Sequence, residues 1–465
     1  TNEKGYDIGI ISPNEQYLTL VKNITTDRNE LYLFDRNKNE LKKLSKEGEE
    51  ASYGPLEFEP NNAALYYNTN EGNEFSYVVK YNLASGKKEK FFSDKWDVVG
   101  MNISENGKYH SIFVNADARN KLLLFDHKTN KPIRFPQVKE GYVQGLRFSP
   151  SEKNMVLYVA GDRSPVNLYV YNLPTGKLKQ LTRALNPEID PEDLVDAKIV
   201  RFKSFDDLEI PAIYYKPHTA SPSQKVPALV WVHGGPGGQS RAGYSQAIQY
   251  FVNHGYAVLA VNNRGSSGYG KRFYKMDNRN HGDKDLKDIV WGKKWLASQP
   301  DIDGSKIGIY GGSYGGFMSL AGIIQYPEEF AVGVNLFGVT NWLRTLKSIP
   351  PYWESFRTAL YDEMGDPATD SVRLRNISPL FNADKIRTPL LVLQGSNDPR
   401  VLQVESDEIV AGAKRNGVPV EYVLFPDEGH GFVKKENQMK AAEVTLKFLD
   451  AHLRNAQPPK SKPAF

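Results

Sequence analysis

A serine set among glycines is the first feature of the sequence that suggests covalent catalysis. The apolar run Lys306–Tyr310 leads into Gly311-Gly312-Ser313-Tyr314-Gly315-Gly316, and a stretch with helical spacing follows. A G-x-S-x-G pattern between a strand and a helix is typical of a nucleophile elbow, in which neighbouring Cβ atoms would clash. Such a turn lifts the serine hydroxyl out of the sheet and directs the next backbone N–H at a developing oxyanion. We therefore expect Ser313 to be a nucleophile and Tyr314 to be an oxyanion donor.

A serine hydroxyl needs a base, and the sequence offers a histidine and an aspartate in the required order. Asp398 follows the predicted strand Leu390–Gln394, and His430 lies between two glycines after the next predicted strand. In α/β-hydrolases the triad follows the chain order Ser, Asp, His. His430 would accept the serine proton, and Asp398 would orient the imidazole and stabilise its cation. Asp427, three residues before the histidine, is the alternative acid.

A glycine-rich loop after an earlier strand predicts the second oxyanion donor. The strand Ala228–Val232 leads to His233-Gly234-Gly235-Pro236, an H-G-G loop of the type that donates a backbone N–H. We assign this donor to Gly235; the alternative is a plain glycine turn. Two such donors are worth roughly 3 kcal/mol each in the transition state. Phosphate binding is not expected, because no P-loop and no helix-opening G-x-G-x-x-G follows a strand here.

The elements around these residues alternate between strand and helix. Residues 186–465 begin with a proline-containing linker, Asn186–Asp196, and two strand-like runs, Ile199–Phe202 and Ile210–Tyr215. The strands predicted after them are Ala228–Val232, Ala257–Val261, Ile307–Tyr310, Val332–Asn335, Leu390–Gln394 and Glu421–Phe425. The predicted helices are Ser245–Asn253, Lys284–Ser298, Met318–Gln325, Glu405–Arg415 and Lys440–Arg454. Short apolar strands alternating with helices indicate a doubly wound, mostly parallel sheet, as in an α/β-hydrolase domain.

Residues 1–185 contain a fourfold repeat with a period of about 44 to 47 residues. Each unit opens with an apolar residue and a turn, continues through an apolar strand, and ends its third strand with an aromatic residue followed by Asp or Asn. About four short strands per unit predict β-propeller blades. A β-sandwich is the alternative, and the regular register argues against it.

Together these motifs resemble the prolyl-oligopeptidase family of serine peptidases, most closely its acylaminoacyl-peptidase and dipeptidyl-peptidase-like branch. The matching segments are His233–Pro236, Asn263–Gly270, Gly311–Gly316, Gly395–Val401 and Gly429–Phe432. The resemblance implies hydrolysis of short peptides at the seam between propeller and hydrolase, with the propeller restricting substrate size. It implies no metal and no organic cofactor.

The resemblance also implies substrate-binding residues. Arg400 matches the arginine that holds a substrate carbonyl near the P2 position, and Val339 and Trp342 match the wall of the S1 pocket. The alternatives are a solvated surface arginine and two core residues. Strict dipeptidyl peptidases grip a free N-terminus with paired glutamates on the propeller. The pair found here, Glu49-Glu50, lies in a Lys-rich turn, so we do not expect exopeptidase action through such a clamp.

Length and composition narrow the remaining possibilities. The 465 residues carry a net charge of +4 and no cysteine. The absence of cysteine excludes disulfides, thiolate metal sites and a cysteine nucleophile. The small net charge gives no reason to expect nucleic acid as a partner. Both observations are compatible with a soluble protein in the cytoplasm, the periplasm or outside the cell. Apolar runs such as Val226–Val232 are too short to insert into a membrane. An esterase or lipase on the same triad, and a non-catalytic scaffold, are the rival functions.

The number of blades raises the question of whether the propeller is whole. Members of the resembling family carry about seven or eight blades, so four suggest a partial propeller rather than a rare four-bladed ring. We therefore expect Thr1 to be a cleavage or truncation boundary. Exposed sheet edges would then invite pairing with a second copy of the chain or with a missing N-terminal segment.

Overall fold

The N-terminal repeat folds as four antiparallel sheets of four strands each, which confirms the predicted blades. The computed structural model describes residues 5–134, 138, 141–349 and 353–455. The predicted boundary at Thr1 lies outside the described residues. The first two blades are formed by β1 (Asp7–Ile11), β2 (Tyr17–Asn23), β3 (Asn29–Asp35) and β4 (Glu40–Lys43), then β5 (Tyr53–Phe58), β6 (Ala64–Thr69), β7 (Tyr77–Asn82) and β8 (Lys88–Phe92). The next two are formed by β9 (Asp97–Ile103), β10 (Tyr109–Ala116), β11 (Arg119–Asp126) and β12 (Pro132–Ile133), then β13 (Tyr142–Phe148), β14 (Asn154–Ala160), β15 (Asn167–Asn172) and β16 (Lys177–Gln180).

The repeated turn signals have a common geometry. In each blade the turn between the first two strands contains one residue with positive φ, at Glu15, Asn62, Gly107 and Glu152. The residue that ends each third strand accepts a hydrogen bond from a backbone N–H two or three residues later; these acceptors are Asp35, Asn82, Asp126 and Asn172. This Asx turn explains why every unit needs Asp or Asn after its aromatic residue.

The remainder of the chain forms one eight-stranded sheet in the order β17-β18-β20-β19-β21-β22-β23-β24. The pairs β17–β18 and β18–β20 are antiparallel and the others are parallel, as predicted for a mostly parallel sheet. The strands are β17 (Lys198–Lys203), β18 (Glu209–Tyr215), β19 (Val226–Val232), β20 (Ala257–Val261), β21 (Ile302–Gly312), β22 (Val332–Leu336), β23 (Leu390–Gly395) and β24 (Val420–Phe425). Buried side chains from both faces of this sheet form two separate hydrophobic clusters beneath the helices.

The helices that cover this sheet include four that the sequence pattern did not predict. The predicted ones are α1 (Gln246–Asn253), α3 (Lys284–Ala297), α4 (Tyr314–Gln325), α8 (Gln403–Arg415) and α9 (Lys435–Leu449), with a four-residue helix α2 (Lys271–Tyr274) between the first two. Helices α5 (Trp342–Lys347), α6 (Glu354–Met364) and α7 (Ser371–Ile377) form an insertion between β22 and β23. Within the described ranges, the helices are all too short or too polar to cross a bilayer.

Candidate active site

Ser313 occupies a strained turn between β21 and α4. Its backbone has φ 56° and ψ −119°, a combination that non-glycine residues rarely adopt. The turn is held on both sides, because the Ser313 N–H donates to the Leu336 carbonyl at 3.0 Å and the Phe317 N–H donates to the Ser313 carbonyl at 3.0 Å. The next residue, Tyr314, begins the helix, and the first N–H groups of a helix have no intrahelical acceptor.

Two glycines of the turn leave no room for a side chain, as expected from the sequence. A Cβ on Gly311 would lie 2.3 Å from the Gly315 carbonyl oxygen. A Cβ on Gly315 would lie 2.2 Å from the Val232 carbonyl oxygen and 2.9 Å from that of His233. Val232 belongs to β19 and His233 to the loop after it, so a larger residue at position 315 would push the nucleophile turn away from the adjacent strand.

We expect Gly315→Ala to lower the free energy of unfolding by about 1–3 kcal/mol, because the added methyl group must displace backbone rather than a flexible side chain. Urea unfolding of the two proteins measures this difference. The control is Gly100→Ala, whose Cβ would meet only the Phe113 side chain, at 3.5 Å, and which should change stability by less than about 1 kcal/mol. Equal effects of the two substitutions would contradict the prediction.

A continuous hydrogen-bonded chain joins the three predicted triad residues. His430 Nε2 lies 2.9 Å from Ser313 Oγ, and His430 Nδ1 lies 2.7 Å from Asp398 Oδ2. The second carboxylate oxygen, Asp398 Oδ1, accepts the backbone N–H groups of Arg400 and Val401 at 2.8 and 2.9 Å. The Asp398 side chain is fully buried, so its orientation is fixed from two directions. The arrangement can move a proton from the serine hydroxyl to the imidazole.

The alternative acid, Asp427, lies elsewhere. Its exposed carboxylate bonds to the Lys434 ammonium and accepts from Asn437 Nδ2 at 3.0 Å. The hydrogen bond from Lys434 is the main reason that the pKa of Asp427 is lowered. Among the described contacts, the carboxylate that pairs with His430 is that of Asp398.

The H-G-G loop lies beside the nucleophile and is held by its own histidine. A Cβ on Gly234 would be 3.8 Å from the Ser313 Cβ, so the loop backbone packs directly against the turn. His233 Nδ1 lies 2.8 Å from the Gly234 carbonyl oxygen, and Nε2 lies 2.8 Å from Ser266 Oγ. In a trans peptide the carbonyl and the following N–H point in opposite directions. The bond to His233 therefore turns the N–H of Gly235 away from the imidazole.

A cavity of about 410 Å³ opens over the serine and contains all the predicted site residues except Asp398, which lies behind His430. The lining residues predicted from the sequence are Gly235, Ser313, Tyr314, Val339, Trp342, Arg400 and His430. Those that sequence reasoning missed are Pro236, Thr345, Ser348, Ile349, Trp353, Phe356, Leu360, Pro399 and Val401. Most of the missed residues belong to the α5–α6 insertion. In the sequence, the aromatic residues Trp353 and Phe356 could have indicated that this insertion forms part of a binding cavity. In the structure their rings meet edge to face at 6.0 Å.

The two residues predicted to form the S1 wall are buried and also belong to the core. Val339 is 4% exposed and Trp342 is 3% exposed, and both pack into the main hydrophobic cluster of the sheet. The predicted core role and the predicted cavity role are therefore compatible. Arg400 is exposed at the cavity rim, with its guanidinium 5.6 Å from the centre of the Trp353 ring.

Behind the oxyanion side of the cavity lies a buried group of titratable residues. The Tyr314 hydroxyl donates to the Asp285 carboxylate, and the Tyr314 ring meets His281 edge to face at 5.8 Å. Burial raises the pKa of Asp285 to about 7. Sequence reasoning did not identify His281 or Asp285, which precede the nucleophile in the chain and do not line the cavity.

A sequence model of the prolyl oligopeptidase family matches residues 242–456. Dipeptidyl aminopeptidase BIII of Pseudoxanthomonas mexicana is 34% identical over 396 residues, which cover 83% of this chain and 57% of that protein. The acylamino-acid-releasing enzyme of Mus musculus is 28% identical over 275 residues, or 58% of this chain and 36% of that enzyme. A crystal structure of puromycin hydrolase has the same fold, with a TM-score of 0.86 and 22% identity, over 98% of this chain and 70% of that one.

The chain is shorter than these proteins. It spans about half the length of the curated relatives it matches, and about 70% of the length of the similar solved structure. The matched family segment contains the nucleophile turn and the two loops that carry Asp398 and His430.

Proposed function

Because the chain belongs to the prolyl oligopeptidase family of serine peptidases, we propose that it hydrolyses short peptides through an acyl-enzyme formed on Ser313. The observation that carries this proposal is the hydrogen-bonded chain from Ser313 through His430 to Asp398, which ends in an open cavity. We assign residues 1–185 to the propeller blades, which would restrict the size of the substrate, and residues 186–465 to the hydrolase domain.

The proposed reaction has two stages. In acylation, Ser313 Oγ attacks the scissile carbonyl while His430 takes its proton and then gives it to the leaving amine. The backbone N–H groups of Gly235 and Tyr314 would hold the tetrahedral oxyanion. In deacylation, water activated by His430 releases the N-terminal product and restores the serine. Asp398 keeps the imidazole in the required tautomer throughout.

The cavity favours a large apolar side chain at the P1 position. Val339, Trp342, Ile349, Phe356 and Leu360 supply apolar surface next to the serine. The one permanent charge among the lining residues that the structure describes is the Arg400 guanidinium at the rim, so a cationic P1 side chain would lose its hydration without gaining an ion pair. A peptide-library digest read by mass spectrometry tests this preference; cleavage mainly after charged residues would contradict it.

The paired glutamates between the first and second blades already have ion-pair partners, which favours an acylaminoacyl-peptidase or oligopeptidase type of action. Glu50 Oε2 lies 2.9 Å from Lys275 Nζ, and Glu49 Oε2 lies 3.3 Å from Lys46 Nζ. Neither carboxylate needs a substrate ammonium as its partner. We therefore expect acetylated peptides to be cleaved at least as fast as the same peptides with free N-termini. Release of dipeptides from free N-termini alone would contradict this.

The alternative function is that of a carboxylesterase or lipase, since this fold hosts both chemistries. Rates on peptidyl p-nitroanilides and on p-nitrophenyl acyl esters separate the two functions. The amine that leaves an amide must be protonated by the enzyme, whereas the phenolate that leaves an ester depends less on protonation. Turnover of both substrates supports the peptidase, whereas ester turnover without any amide turnover would overturn it.

Arg400→Ala is expected to raise KM for peptides about 10- to 100-fold with a smaller change in kcat, because the guanidinium would hold a substrate carbonyl outside the reacting bond. A small ester such as p-nitrophenyl acetate lacks that carbonyl and should be turned over at the wild-type rate. The control is Arg415→Ala, an exposed arginine at the end of α8. An equal loss on peptide and on ester would contradict the proposed role.

A further inference from the structure

Three metal-ligating side chains meet behind the active-site cavity, in a place that the proposed mechanism does not use. Asp277 ends a short 3-10 helix, His281 follows four residues later, and Glu363 lies in the last turn of α6. All three are 1% exposed. One ligand atom from each residue lies within 4.8 Å of the others.

The distances within this cluster are longer than those of a hydrogen-bonded histidine–carboxylate pair. His281 Nε2 lies 3.3 Å from Asp277 Oδ2 and 3.4 Å from Glu363 Oε1, whereas the pair of His430 with Asp398 is at 2.7 Å. Donors that share a tetrahedral metal at bond lengths of about 2.0–2.1 Å lie roughly 3.3–3.4 Å apart. The two distances from His281 Nε2 are therefore those expected between ligands of one ion, and the third ligand pair lies within 4.8 Å.

Several polar atoms of the cluster have no hydrogen-bond partner among the described residues. They include both ring nitrogens of His281, together with Asp277 Oδ1 and Glu363 Oε2. Leaving such buried atoms unpaired is costly, so native proteins rarely do so. His281 Nε2 faces both carboxylates, which favours a cation over an anion as the missing partner.

The charges of the side chains in this cluster also favour a cation as the ligand. Two buried carboxylates face a single imidazole, and the Asp285 carboxylate adds to the negative potential on His281 from the side of Tyr314. A protonated imidazole would neutralise one carboxylate only. A divalent cation bound to a neutral imidazole neutralises both, and it gives His281 Nε2 and the two carboxylates a buried partner.

We propose that Asp277, His281 and Glu363 form a site for a divalent transition metal, with Zn²⁺ as the ion that best fits one imidazole and two carboxylates at tetrahedral spacing. The role is structural. The metal would fasten the last turn of α6 to the segment before α3, and α6 carries Phe356 and Leu360 of the cavity wall. The ring of Tyr314 lies against His281, so the fastening also supports the first residue after the nucleophile.

The test uses the purified full chain, stripped with a chelator and then dialysed against Zn²⁺ or Co²⁺. We expect about one metal ion per chain by elemental analysis, the visible absorption of tetrahedral Co²⁺, and a rise in Tm of about 3–5 °C with saturating Zn²⁺. Protein labelled at Ser313 with a fluorophosphonate should bind the same amount, which separates this site from the catalytic histidine. Metal content, the Co²⁺ spectrum and Tm do not depend on peptidase activity, so failure of the proposed function would leave these three readouts unchanged.

Substitutions of the proposed ligands test whether the ion binds at these three residues. Glu363→Gln and Asp277→Asn keep the side-chain shapes and should weaken binding at least about 100-fold. The control is Glu354→Gln in the first turn of the same helix, whose exposed carboxylate pairs with Arg357 and should not affect binding. Less than about 0.1 ion per chain in the wild type, or wild-type binding by both variants, would overturn the proposal. If neither variant folds, the wild-type stoichiometry and the Co²⁺ spectrum decide.

Discussion

Replacing Ser313 with alanine is expected to lower kcat for peptide hydrolysis by about 10⁴- to 10⁶-fold while the protein stays folded. The substitution removes the atom that would form the acyl-enzyme and leaves His430 without a proton to accept. The residual rate would come from the oxyanion donors, which can still stabilise attack by water. Because the Ser313 backbone has φ 56°, alanine keeps the turn only with the strain that serine already bears, so a small change in stability is expected.

The measurement compares kcat on a peptidyl p-nitroanilide with labelling by a fluorophosphonate probe. Wild-type protein should be labelled stoichiometrically, and the peptide that carries the label should contain Ser313. The matched control is Ser305→Ala, an exposed serine near the start of β21 that is bonded to Asp303, which should keep both activity and labelling. Labelling of a folded Ser313→Ala protein, or activity within tenfold of the wild type, would exclude this residue as the nucleophile.

The triad could be predicted because each member carries a local signature in a fixed topological context. Ser313 and His430 are 117 residues apart along the chain, yet their side chains are within hydrogen-bond distance. Parallel strands bring their carboxyl ends to the same edge of a sheet, so residues in the loops after β21, β23 and β24 must converge there. The strand pattern therefore predicted which distant residues lie close together, which a single motif cannot do.

The wall of the cavity could not be predicted in the same way. Phe356 is 48% exposed, because its side chain faces the cavity and not the core, so the α6 sequence lacks a clear apolar stripe. Sequence periodicity reports burial against the core and says little about residues that face a binding space. The ligands Asp277 and Glu363 were missed for a related reason. Their contact depends on how an irregular insertion packs, and no repeated pattern encodes that packing.

Replacing the catalytic acid is expected to have the second large effect. We expect Asp398→Asn to lower kcat by about 10⁴-fold. Oδ1 of Asp398 accepts two backbone N–H groups, from Arg400 and Val401, and a side-chain amide can meet those donors only with its oxygen. The amide NH₂ would then point at His430 Nδ1, 2.7 Å away in the wild type. The imidazole would have to accept at Nδ1 and carry its proton on Nε2, where it cannot receive the proton of Ser313.

The matched control is Asp427→Asn, which removes the charge of the other candidate acid three residues before His430. Its carboxylate is exposed and bonded to Lys434 and Asn437, so we expect a change of less than about twofold in kcat and a small change in stability. Both variants should remain folded by circular dichroism, and fluorophosphonate labelling should slow only in Asp398→Asn. A loss in Asp427→Asn equal to that in Asp398→Asn would contradict the assignment. Since the two substitutions change the same atoms on neighbouring loops, a difference of several thousandfold between them can arise only from which carboxylate orients the imidazole.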